Sequence, residues 1–161
     1  MGKRQTRRRV SDSMKHGRNP TEASISENKD MVIWESSQWI AMMDRYPIVE
    51  GHALILPKKH VSHITDLDEA QSKSMGDAIR QVSLMLKQTY GQGLLVSIKC
   101  GKGSARTISH LHIHLIPRKN GDRLWDGNRS RIVLDRTSGF KRLDVTEDEL
   151  RSEAKKIRGD L

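Results

Sequence analysis

Three histidines spaced two apart, His110, His112 and His114, alternate with Leu111, Ile113 and Leu115. Successive side chains of a strand leave opposite faces, so this spacing places the imidazoles on one face and the aliphatic groups on the other. The aliphatic set can bury against a helix, whereas three imidazoles have no packing reason to share a face. Two residues of strand advance about 6.5 Å, so the rings form a row that can contact successive atoms of one extended anionic ligand. Three readings fit. In the first, His112 is a nucleophile whose free ring nitrogen attacks phosphorus, while its neighbours fix the tautomer and supply protons or hydrogen bonds to phosphate oxygens. In the second, two histidines at i and i+2 are a natural ligand pair for zinc, and on spacing alone this ranks first. The third is a solvated strand face that is histidine-rich by chance.

The loop ahead of the histidines shifts the balance. Gly101-Lys102-Gly103-Ser104-Ala105-Arg106 combines two glycines, a serine and two cations, and its backbone N–H groups can approach a phosphate closely. Zinc would need a carboxylate or thiolate nearby, and this loop supplies neither. A plain hairpin turn accounts for the glycines but not for Arg106 beside the histidines.

The elements that must hold these residues are legible in outline. Met31–Glu35 and Trp39–Met43 are short apolar runs separated by Ser36-Ser37-Gln38, which predicts two paired strands. His52–Leu56 predicts a third, closed by Pro57. A long helix is expected from about Thr65 or Asp66, with Asp68 and Glu69 in its first turn and Met75, Ile79, Val82 and Leu86 along one face. Gly91 and Gly93 are expected to stop it as caps and hinges. Leu94–Cys100 and Thr107–Ile116 predict a fourth and a fifth strand, whose short connection favours antiparallel pairing. A weak strand is expected at Arg131–Leu134. Thr146 and Glu149 form a capping box before Leu150, Ala154, Ile157 and Leu161, which predicts a last helix. The pattern is α+β: an antiparallel five-stranded sheet with one long helix and a C-terminal helix.

The 161 residues are enough for one core and divide into a basic arm (1–28), a catalytic domain (29–119) and a C-terminal extension (120–161) whose helix packs on the domain. Residues 1–19 hold seven basic side chains against one acid, Asp12, so most of the net +9 lies in the arm. The arm is expected to be solvated, with polyanion contact as the alternative. Its opening Met1-Gly2 matches a short, common myristoylation pattern, which carries little weight. The single cysteine, Cys100, rules out a disulfide framework, and no apolar stretch approaches a membrane span, so a cytoplasmic protein is expected.

The run His110–Ile116 followed by Pro117-Arg118 closely resembles the signature of the histidine-triad nucleotide hydrolases and transferases. A second segment, Met43-Asp44-Arg45-Tyr46-Pro47 through Gly51-His52 to Lys58-Lys59-His60, resembles that family's upstream strand and loop. With both segments counted, the zinc reading falls well behind. The resemblance implies an antiparallel sheet with two helices, a homodimer, and a mechanism in which His112 is transiently nucleotidylated at the α-phosphate and released by water. His110 and His114 would orient it and contact the phosphate and leaving group, His52 would support the triad, Asp44 would hold ribose hydroxyls, and Thr107 would lie near the leaving group. Gly103 and Ser104 would line the phosphate loop.

Two departures stand out. Lys99 replaces a usual amide, and Ala105-Arg106 replaces a usual Gly-Gln, so extra cations suggest a longer polyphosphate than a simple phosphoramidate. A purine nucleotide is the expected ligand. No cofactor and no resident metal are expected, and a divalent cation enters only with the substrate. The family's N-terminal zinc cysteines are absent. The competing reading is a nucleotide-binding or nucleic-acid-associated regulator that uses the triad only to recognise phosphate. Lys58, Lys59, His60 and His63 read as a solvated loop, and Trp34, Trp39 and Trp125 as packing residues.

Overall fold

The five strands expected of the sheet form, most with shifted ends. The computed structural model describes residues 27–91, 93–104, 108–124 and 142–160. Its strands are β1 (Val32–Glu35), β2 (Trp39–Met43), β3 (Ala53–Pro57), β4 (Gly93–Ile98) and β5 (Ile113–Arg118). They make one antiparallel five-stranded sheet in the order β1-β2-β3-β5-β4. Two helices, α1 (Glu69–Tyr90) and α2 (Glu147–Arg158), pack on one face, giving the α+β architecture the pattern called for.

The sheet's alternation assigns the faces. Ile33, Ala41, Met43, Ala53, Ile55, Ile113 and Leu115 bury beneath the helices with Ala78, Val82 and Leu86 of α1 and Leu150, Ala154 and Ile157 of α2. Trp39 is fully buried in this cluster and its indole N–H donates to Ser74 Oγ at 3.0 Å, which confirms a packing role. Met75 and Ile79, expected at the centre of the α1 stripe, are only half-buried at its margin. The opposite face carries His114, with a smaller cluster of Ile48, Val49, Ile116 and Leu124 nearby.

Both helices begin with reciprocal capping boxes, Asp68 with Gln71 and Thr146 with Glu149. Asp68 is therefore the cap rather than a first-turn residue. The expected helix start at Thr65–Asp66 is instead a short 3-10 turn, Ile64–Asp66, because Asp68 in extended backbone starts the regular helix one residue later. Among the described residues, no helix is long and apolar enough to cross a membrane. The expected strand at 131–134, along with Trp125, Leu161 and most of the basic arm, falls outside the described residues.

Gly91 ends α1 at φ 96°, as expected, but Gly93 is no hinge: it is the first residue of β4, paired with Arg118. A Cβ at Gly93 would lie 2.1 Å from the Arg118 carbonyl oxygen, a backbone atom that cannot swing aside. Gly93→Ala is expected to lower stability by about 1–3 kcal/mol, read as an earlier urea midpoint. An unchanged midpoint would show that the strand ends part freely.

Helix α2 also grips the loop that carries a site residue. Glu153 Oε1 accepts the Gly51 backbone N–H at 2.7 Å and the Tyr90 hydroxyl at 2.6 Å. Gly51 has φ 74°, and a Cβ there would meet the Tyr90 ring at 2.5 Å. Burial and the bond to Glu153 push the Tyr90 hydroxyl well above its ordinary pKa, so it remains a donor.

Candidate active site

Strand β5 begins at Ile113, so only His114 of the three histidines lies within it. Residues 108–112 are not strand, so the strand expected from Thr107 is shorter and its three rings do not stand in one row. The Leu111 N–H bonds to the Val61 carbonyl at 2.8 Å, which draws the approach to β5 away from β4. His112 and His114 keep the expected proximity, with ring centroids 4.9 Å apart and nearly perpendicular planes. His110, buried at 2% exposure, lies against the His60 ring at 4.9 Å. The Asp44–His52 turn brings in a fourth imidazole: the Asp44 N–H donates to the His52 carbonyl at 2.9 Å, and the His52 ring lies 5.2 Å from that of His114.

Fixed partners determine where each proton sits. A carbonyl only accepts, so His112 Nδ1, 2.8 Å from the His110 carbonyl, carries a proton, and in the neutral ring Nε2 holds the lone pair. His110 Nε2 likewise donates to the Pro57 carbonyl at 2.9 Å. At His52 the logic reverses: the Ile48 N–H donates to Nδ1 at 3.3 Å, which puts the proton on Nε2. That proton points to His114 Nδ1 at 3.0 Å, with Asp44 Oδ2 also close at 3.3 Å. His114 Nδ1 is then an acceptor, and its own proton lies on Nε2. The result pairs an unprotonated ring nitrogen on His112 with an N–H donor on the adjacent His114.

Electrostatics disfavour charge on His114 and His52. Burial lowers the His114 pKa to about 2, helped by His52, His112, Lys99 and Arg142. Burial also lowers that of His52, against the opposing pull of the Asp44 carboxylate. His114 is therefore a neutral ring at neutral pH, with one N–H to donate.

Asp44, His52 and His114 offer ligand atoms within 4.8 Å of one another, the spacing of a metal site. Asp44 thus supplies the carboxylate that the glycine loop lacks. Metal ligation at His52 Nε2 would move the proton to Nδ1, where it would face the Ile48 N–H. Donor would oppose donor, so the backbone sets this cluster for hydrogen bonding.

The remaining expected residues divide. Asp44 is buried at 7% exposure and accepts the Tyr46 N–H at 2.8 Å as well as facing His52. Lys99 is half-buried just past β4, close enough for its charge to act on His114. Ser104 Oγ turns inward to the Gly101 carbonyl at 2.9 Å, and Gly103 is exposed at φ 86°. Arg106 and Thr107 lie outside the described residues. Lys58 and Lys59 form outer ion pairs with Glu35 and Asp68, as a solvated loop should. His60, from the same loop, was passed over yet touches His110. Arg142 was also missed: its guanidinium donates to the Tyr46 carbonyl and lies 3.8 Å from Asp44 Oδ2. No spacing signal links position 142 to position 44.

A HIT domain family model matches residues 26–121. The chain is 31% identical over 83 residues to a bis(5'-adenosyl)-triphosphatase of Dictyostelium discoideum, a match that covers 51% of this chain and 56% of that one. It is 28% identical over 100 residues to an adenylylsulfatase of Arabidopsis thaliana, covering 62% and 51%. The chain thus spans about half the length of these two relatives. The crystal structure of a Hit-like protein involved in cell-cycle regulation from Bartonella henselae has the same fold, with a TM-score of 0.65 at 24% identity over 90% of this chain and 99% of that one.

Proposed function

The chain belongs to the HIT domain family, and on that premise we propose that it is a nucleotide hydrolase or nucleotidyltransferase that cleaves at the α-phosphate through a nucleotidyl-His112 intermediate. The proton arrangement carries this reading: the His110 carbonyl orients His112 so that Nε2 presents a lone pair, beside the N–H of His114. The lone pair forms an N–P bond as the bond from phosphorus to the leaving group breaks. His114 donates a hydrogen bond to the oxygens that gain charge. Water then adds to phosphorus and gives up a proton to solvent, the N–P bond breaks, and its electrons return to Nε2. Splitting one hard displacement into two easier ones is the gain from a nitrogen nucleophile.

The low pKa of His114 bears on the leaving group. A group that departs as a stable anion, such as a nucleoside polyphosphate, needs no proton from this ring, whereas an amine does. Lys99 favours the same choice by adding positive charge nearby. The proposed substrate is therefore a purine dinucleoside polyphosphate in preference to a nucleoside phosphoramidate. Asp44 takes ribose hydroxyls, a divalent cation enters with the polyphosphate, the assembly is a homodimer, and the basic arm provides any polyanion contact.

Quenching turnover at low pH should leave one added nucleotide mass on His112, with more trapped from a diadenosine polyphosphate than from an adenosine phosphoramidate. Multiple turnovers with no label on any histidine would overturn the covalent route. Faster turnover of the phosphoramidate would overturn the substrate order.

A further inference from the structure

The site changes chemical character along its length. His112 Nε2 fixes where a reacting phosphorus must sit, and the chain of contacts then runs through His114 and His52 to the Asp44 carboxylate. A carboxylate repels phosphate oxygens but accepts well from hydroxyls. The part of a 5'-nucleotide next to its α-phosphate is the ribose, and its two hydroxyls suit Asp44.

Arg142 alters this end of the site. The Leu143 N–H donates to the Pro47 carbonyl at 2.8 Å, pinning the backbone next to Arg142 against the turn that follows Asp44. The guanidinium then reaches the Tyr46 carbonyl and stands 3.8 Å from Asp44 Oδ2. The Arg142 side chain is still 52% exposed. A guanidinium has five N–H donors, and among the described residues these contacts leave several for a ligand. A carboxylate alone would reject a phosphate ester on the ribose, whereas a carboxylate with an adjacent fixed arginine can accept one in a bidentate pair.

We propose that Arg142 turns the ribose end of the site into an anion subsite, so that the protein takes nucleotides bearing a second phosphate ester on a ribose hydroxyl. The inference rests on the reading of His112 as the phosphorus-facing residue. The charge of Arg142 acts on both His52 and His114, which places it at the site rather than on a remote surface.

Calorimetric titration of the full chain with AMP, adenosine 3',5'-bisphosphate and adenosine 2',5'-bisphosphate tests it. One of the bisphosphates should bind about tenfold tighter than AMP, the effect of one charge-assisted pair. In Arg142→Ala that ratio should fall to about one, and in Arg142→Lys it should recover in part. A wild-type protein that binds AMP as well as or better than both bisphosphates overturns the proposal. So does an Arg142→Ala variant with an unchanged ratio, which would mean the arginine serves the 5'-phosphate or the fold. AMP binding without a bisphosphate preference removes the subsite alone, whereas no binding of any of the three removes the nucleotide reading with it.

Discussion

Replacing His112 with Asn is expected to lower turnover by about four orders of magnitude or more, because the substitution removes the nucleophile of the proposed covalent step. Asn is the informative choice. Its amide N–H can still donate to the His110 carbonyl, as His112 Nδ1 does at 2.8 Å, so the local backbone keeps a partner. The amide nitrogen has no basic lone pair to offer phosphorus. Nucleotide affinity should change far less than kcat, since the phosphate keeps the His114 N–H and the positive charge around it. Replacing His114 with Asn should cost less, about 10²–10³-fold, because one hydrogen-bond donor is lost but the nucleophile remains. Single-turnover kinetics on both variants would separate these effects. A His112→Asn protein within tenfold of wild type would end the nucleophile assignment.

Acid should destabilise the fold well before the carboxylates titrate. The His114 pKa lies near 2 in the folded chain and that of His52 is also lowered, against 6.5 for an unperturbed histidine. Below pH 6.5 the unfolded chain takes up protons on both rings, while in the folded chain His114 stays neutral and His52 is protonated less readily than a free imidazole. Stability is therefore full above that pH and falls as the pH drops toward the folded values. At up to about 1.4 kcal/mol per pH unit, His114 alone accounts for about 2 kcal/mol lost between pH 6.5 and 5, and His52 adds to the loss in the same direction. That is a large share of the roughly 5–15 kcal/mol that holds a domain together. Urea midpoints at pH 7 and 5 measure the loss, and His114→Asn should flatten the profile. A wild-type midpoint that stays constant or rises on acidification contradicts the neutral-ring description.

Local signals in the sequence anticipated local structure. The Thr146–Glu149 capping box and the apolar runs of β1 to β3 depend on neighbours a few residues apart, and they form where expected within a residue or two. The histidine row failed in part for a physical reason. Alternation presumes a continuous ladder, but Leu111 bonds to Val61 and leaves His110 and His112 outside β5. Spacing also could not assign protons, because the deciding partners, the Ile48 N–H and the carbonyls of His110 and Pro57, are backbone groups with no side-chain signature. Gly93 looked like a helix stop until its pairing with Arg118 was known. Arg142 meets Asp44 across nearly the whole folded domain, a contact no sequence window contains.

The grip of Glu153 on Gly51 bears on how the protein is made. A nascent chain that has emerged only to residue 121 already holds all four imidazoles and every strand of the sheet. It still lacks the carboxylate that secures the turn next to His52, along with the Leu150, Ala154 and Ile157 side that closes the core. The last support for the site is therefore the last to be translated, and a chain stalled before the C-terminal helix would carry its chemistry without the contact that secures the His52 turn.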